Sequence, residues 1–138
     1  MHHIAMVNWI SVLVAALSGF VIGSLWYGPP LFQKSWMQLT GMTKEQGAKA
    51  NMAVTFGGAY VLNVLGAFGI AMVLGDHGGW ASGLHAGAFV GLFFIGTALG
   101  VIYLFEQRPW RLWCINAGYQ LVNFAAMGTI LGAWPRPG

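Results

Sequence analysis

No aspartate, glutamate, lysine or arginine occurs before Lys34, and six basic and three acidic side chains serve all 138 residues. They are Lys34, Lys44, Glu45, Lys49, Asp76, Glu106, Arg108, Arg111 and Arg136. Between them lie uncharged stretches at 1–33, 50–75, 77–105 and 112–135, each of 24 residues or longer. About 20 apolar residues carry a helix across ~30 Å of hydrocarbon. The charged fraction is 7%, against about 25% in an ordinary soluble chain. A water-soluble fold of this size has no interior large enough for four such stretches. Nucleic-acid binding is excluded too: the net charge of +3 is scattered over loops and forms no basic face. No stretch carries a charge at its middle, which argues against proton-coupled antiport and voltage sensing. Cys114 is the single cysteine, so no intrachain disulfide forms. The first stretch has no basic segment before it and is too long for a cleaved leader, so it reads as a retained span.

Catalytic patterns are missing as well. There is no G-x-S-x-G, no phosphate loop and no carboxylate pair, so no enzyme and no cofactor are expected. His2, His3, His77 and His85, with Asp76, would share one side of the membrane in the topology derived below. Imidazole and carboxylate suit zinc or copper, but no H-x-x-x-H or H-E-x-x-H spacing occurs, and no metal site is assigned.

What is present predicts an all-α fold. It is an integral membrane four-helix bundle in one domain, 1–138, with spans at about 6–26, 52–74, 82–105 and 112–133. The first span stops at Gly28-Pro29-Pro30, since proline offers no N–H and disfavours helix in the residue before it. A short interfacial helix follows, with Pro30 suited to its first position. Leu31, Phe32, Trp36 and Leu39 share a face, and Gly41 ends the helix. Thr43 and Gln46 match a capping box, from which the second long helix would run on into its span.

Trp26, Tyr27, Trp36, Trp80, Trp110 and Trp134 cluster where apolar sequence meets polar sequence. With Lys34, Arg108 and Arg111 they read as interfacial anchors at headgroup depth. The 28–51 and 106–111 loops carry five of the six basic residues. The positive-inside bias then puts both loops in the cytoplasm and both termini outside.

Most of the 21 glycines fall inside the spans rather than in loops. Gly19 and Gly23 lie in span 1, Gly83, Gly87 and Gly91 in span 3, and Gly128 and Gly132 in span 4. Such rows let helix backbones approach where no hydrophobic force drives helix from lipid. They serve packing within one subunit or a seam between subunits. On a regular helix Gly96 and Gly100 point away from the Gly83 row, which would place span 3 at the centre of the bundle or between two partners.

Polar residues in the spans are few. Asn116, Gln120 and Asn123 stand at i, i+4 and i+7 on one face of span 4, flanked by Tyr119, and Asn63 with Tyr60 marks span 2. Amides at this depth need partners and should face the interior. They serve either as interhelical hydrogen bonds or as a polar path or ligand pocket. The leading functional expectation is a small permease or pore for a neutral or weakly polar solute, assembled as a homo-oligomer. The alternative is an accessory or scaffold subunit docked on another membrane protein. The expected surroundings are the lipid bilayer of a bacterial inner membrane.

Residues 8–41, "NWISVLVAALSGFVIGSLWYGPPLFQKSWMQLTG", resemble the N-terminal signature of domain of unknown function 1761, a family of small bacterial membrane proteins. The matching positions are Asn8, Trp9, Trp26, Tyr27, Gly28, Pro29, Phe32, Lys34 and Trp36, with Pro30 an extra proline. Residues 116–134, "NAGYQLVNFAAMGTILGAW", are similar to the family's last span. The resemblance implies four spans and contributes no mechanism.

Overall fold

The computed structural model describes residues 8–29, 31–43, 45–46, 51–75 and 78–134. Those residues form five helices: α1 (Trp9–Trp26), α2 (Gln33–Thr40), α3 (Met52–Leu74), α4 (Trp80–Phe105) and α5 (Trp110–Ala133). No strand occurs among them. By length and apolarity α1, α4 and residues 53–74 of α3 qualify as membrane-crossing helices. The fourth long helix, α5, has 24 residues and so is long enough, but its amides lower its hydropathy. His2, His3, Asp76 and His77 lie outside the described residues.

Local sequence explains several helix ends. The Asn8 side chain accepts from the N–H groups of Ile10 and Ser11 and so caps α1, satisfying donors that the first turn leaves orphaned. Gly41 ends α2 at φ +73°, a left-handed conformation that suits glycine. Thr43 and Gln46 exchange the two bonds of a capping box, at 2.9 and 3.1 Å. Two expectations need correction. First, α2 starts at Gln33, so Leu31 and Phe32 precede it. Second, the box at Thr43 does not begin the helix that becomes α3. Asn51 is extended, and its side chain accepts from Val54 N–H, so α3 has its own start.

The four long helices run up, down, up and down. α1 meets α3 antiparallel: Trp9 stacks on Phe68 at 5.2 Å and Phe20 meets Phe56 at 5.6 Å. α5 lies between α1 and α3 on one side and α4 on the other. Val12, Ala15, Ala67, Ile70, Leu74, Met127 and Leu131 make an apolar core in the half that holds the start of α1. The outer surface is apolar too: Leu62, Leu65, Val73, Phe93, Leu104 and Phe105 are all exposed, as lipid-facing side chains would be.

The centre of the bundle is α5, not α4, and the reason is a widened turn. α4 is π-helical over Val90–Gly96. Five residues on an α-helix advance about 500°, leaving Gly96 about 140° away from Gly91. A π turn takes up an extra residue and returns Gly96 and Gly100 to the face of Gly83, Gly87 and Gly91. All five glycines therefore meet α5, in antiparallel order. A Cβ at Gly83 would overlap the Gly128 carbonyl, one at Gly87 the Phe124 carbonyl, and one at Gly91 would sit 2.9 Å from the Gln120 carbonyl. Gly96 faces Ala117, and Gly100 faces the Trp113 indole. Gly128 and Gly132 answer from α5, against the carbonyls of Gly83 and Gly79. The Trp113 indole N–H donates to the Gly96 carbonyl at 2.9 Å, next to the disturbed ladder.

Candidate functional site

The polar side chains singled out in the sequence divide into two connected groups, both inside the bundle. The deeper group joins α1, α3 and α5. Asn123 is buried, and its Nδ2 donates to Asn63 Oδ1 at 3.3 Å. Gly19 makes this possible: a Cβ there would occupy the place of Asn123 Oδ1 and lie 3.1 Å from Asn63 Nδ2. Tyr119 stands beside Asn63 and donates its hydroxyl to the Gly19 carbonyl at 3.2 Å. A Cβ at Gly23 would crowd that hydroxyl at 3.1 Å. Glycine in α1 thus admits three polar side chains where a larger residue would exclude them. Asn123 Oδ1 is buried with no hydrogen-bond partner among the described residues.

The second group lies at the end that carries Lys34, Arg108 and Arg111. Tyr27 donates to Asn116 Oδ1 at 2.6 Å, and Asn116 Nδ2 donates to the Tyr103 hydroxyl at 2.7 Å. One amide so ties the end of α1 to α4 through α5. Burial raises the Tyr27 phenol well above the ordinary phenol range, with the neighbouring Tyr119 and Tyr103 adding to the shift. Tyr27 therefore stays protonated, which its role as donor requires. The Trp26 indole N–H donates to the Ile115 carbonyl at 2.9 Å. Trp26 and Tyr27, expected to reach for lipid headgroups, turn their polar atoms into the protein. Two rings close over them: Phe32 lies 5.0 Å from Trp26, and Trp36 meets Tyr27 edge-on at 5.9 Å.

The remaining positions separate. Tyr60 leaves Asn63 and donates to the Leu13 carbonyl at 3.0 Å. Gln120 is half-buried between the two groups, and its amide makes no hydrogen bond among the described residues. Trp80 and Trp110 are exposed at opposite ends of the bundle, with Lys34 and Arg111 exposed at the basic end. Trp134 is half-buried just after α5. Arg108 pairs with Glu106 at 2.6 Å, while the Arg111 guanidinium lies over the Trp110 ring at 5.7 Å. Among the described residues no cluster of metal-ligating side chains occurs, and His85 is exposed. Sequence reasoning missed Tyr103 and Trp113. Tyr103 stands alone in an apolar run, whereas Trp113 lies one turn before Asn116 on the face of the span 4 amides, a spacing that could have drawn attention to it.

Chemically, the two groups offer amide and phenol dipoles in a low-dielectric interior, with no group able to change charge near neutral pH. They can hold helices in register and can bind neutral polar groups. They supply no nucleophile. No curated protein and no solved structure matches the chain. The model of the family described as "Protein of unknown function (DUF1761)" matches residues 10–132, nearly the whole chain, and the protein belongs to that family.

Proposed function

We propose that α1, α3, α4 and α5 all cross a bacterial inner membrane, with both termini outside, and that the protein is a closed accessory or scaffold subunit. The observation that carries this reading is the bond from Asn123 to Asn63 at 3.3 Å. The amides best placed to line a solute path are engaged with each other, and Asn116 is engaged with two phenols. These bonds lock helices together, at about 0.6 kcal/mol per contact on average in lipid. The docking face is the outer side of α3. Val54, Gly58, Leu62, Leu65, Gly69 and Val73 follow one another at helical spacing and are all exposed. A Cβ on Gly58 or Gly69 would meet nothing within 4 Å. In lipid such notches suit close approach by another helix, from a second copy or from another membrane protein.

The permease or pore is the second reading. It is favoured by the unpartnered Asn123 Oδ1 and the unengaged Gln120 amide, which in a homo-oligomer would line a path for a neutral solute. No enzymatic role is proposed.

Native mass spectrometry in mild detergent and solute flux in proteoliposomes separate the two. The scaffold reading expects a fixed assembly that G58L/G69L dissociates without unfolding the subunit, and no flux. An assembly untouched by that double substitution defeats it. Flux of small neutral solutes that Q120L/N123L abolishes establishes the pore instead.

A further inference from the structure

A groove of about 230 Å³ opens at the basic end, between α2 and the first turns of α5. Its walls are of two kinds. Phe32, Leu39 and Ile115 supply apolar surface; Ser35, Gln38 and Arg111 supply donors. Arg111 is exposed and has no carboxylate partner among the described residues, unlike Arg108, which Glu106 neutralises. Among the described residues no side chain caps α5, and its first turn holds no acidic residue. The positive end of the helix dipole thus has no acidic residue in its own turn beside Arg111, and an anion is favoured there.

We propose that this groove binds the headgroup of an anionic glycerophospholipid, with phosphate at Arg111 and the upper acyl chain along Phe32 and Leu39. Charge complementarity selects the anion. The apolar walls select an amphiphile over a free phosphate, which would gain nothing from them. Basic pockets between membrane helices are sites of this chemistry. The inference goes beyond the scaffold reading and needs from it only the bilayer placement. Failure of that placement would appear as protein that does not incorporate into vesicles, before any binding is measured.

Cys114 lines the same groove, is exposed, and is the one thiol of the chain. Its alkylation by N-ethylmaleimide, which is neutral and permeant, therefore reports occupancy. The protein is reconstituted in phosphatidylcholine alone, and in phosphatidylcholine with roughly 30 mol% phosphatidylglycerol, an anionic lipid that attracts basic residues. Alkylation is expected to slow by about fivefold in the anionic vesicles, the factor for one cation against an anionic headgroup. R111Q should lose the protection and R108Q should keep it. Equal protection in R111Q, equal loss in both variants, or none in the wild type would overturn the proposal. Protection by inorganic phosphate in phosphatidylcholine alone would overturn the lipid assignment.

Discussion

Asn123 sets its Oδ1 in the space that Gly19 leaves by having no side chain. The contact fixes α1 against α5 at the depth where Asn63 reaches across from α3. G19A would push a methyl into that oxygen, so the Asn123 amide must turn away and give up its place against Asn63. A loss of about 1–3 kcal/mol is expected, the usual cost of overpacking. N123A should restore most of it in the double variant, because the two positions share one space. Thermal unfolding of all four proteins in one detergent checks this; additive losses would refute it.

The widened turn of α4 makes a deletion tolerable. Gly83, Gly87, Gly91, Gly96 and Gly100 are spaced four, four, five and four apart. Removing Phe93, which is exposed inside the π segment, restores a regular spacing on a regular helix and keeps all the glycines on α5. Removing Leu84 instead rotates Gly83 away from Gly87 by about 100°. The Phe93 deletion should unfold within a few degrees of wild type, and the Leu84 deletion should not yield folded protein. Circular dichroism melts in detergent distinguish them.

Glycines that look alike in sequence should respond oppositely to leucine. G58L and G69L add side chains to open space and replace a poor helix former with a good one, so subunit stability holds or rises. G83L or G87L forces a side chain into the backbone of α5 and should cost at least about 3 kcal/mol. Unfolding in sodium dodecyl sulfate mixtures gives the ordering.

The Tyr27 phenol makes the basic end sensitive to alkali. Its folded pKa is raised by burial above the value of about 10 expected when unfolded. Its contribution is therefore complete below pH ~10 and is lost as pH rises beyond that value, since the unfolded chain ionises first. Y27F leaves Asn116 Oδ1 without its donor, so it should lower stability at pH 8 by about 1–3 kcal/mol. It should also flatten the decline above pH ~10. Melts at stepped pH measure both; an unchanged alkaline slope in Y27F would contradict the assignment.

The absence of charge located the long helices, because an ion is costly in the middle of an apolar helix whatever that helix packs against. Asn8, Gly41 and the Thr43–Gln46 pair were readable for a similar reason: their partners lie within four residues. Legibility failed where the partner was remote. Nothing near Gly96 in sequence announces the π turn, whose advantage lies in contacts with Ala117 and Trp113 on α5. Trp26 and Tyr27 have the composition of headgroup anchors, yet Ile115 and Asn116 offer nearer acceptors. Asn63 and Asn123 could be marked as interior, but their pairing depended on a vacancy at Gly19.

Where α4 lies on α5, the touching residues are largely glycine, which has no rotamers to immobilise. Along that row, joining these two helices thus forfeits little side-chain entropy, with Trp113, Tyr103 and Asn116 the side chains to be ordered at one end, whereas α1 must order Trp26 and Tyr27, and α5 Tyr119, before it can seat. The short reversal at Glu106–Pro109 already holds α4 and α5 as neighbours. During biogenesis the C-terminal hairpin is accordingly the piece that can close first, offering a finished groove into which the aromatic end of α1 then settles.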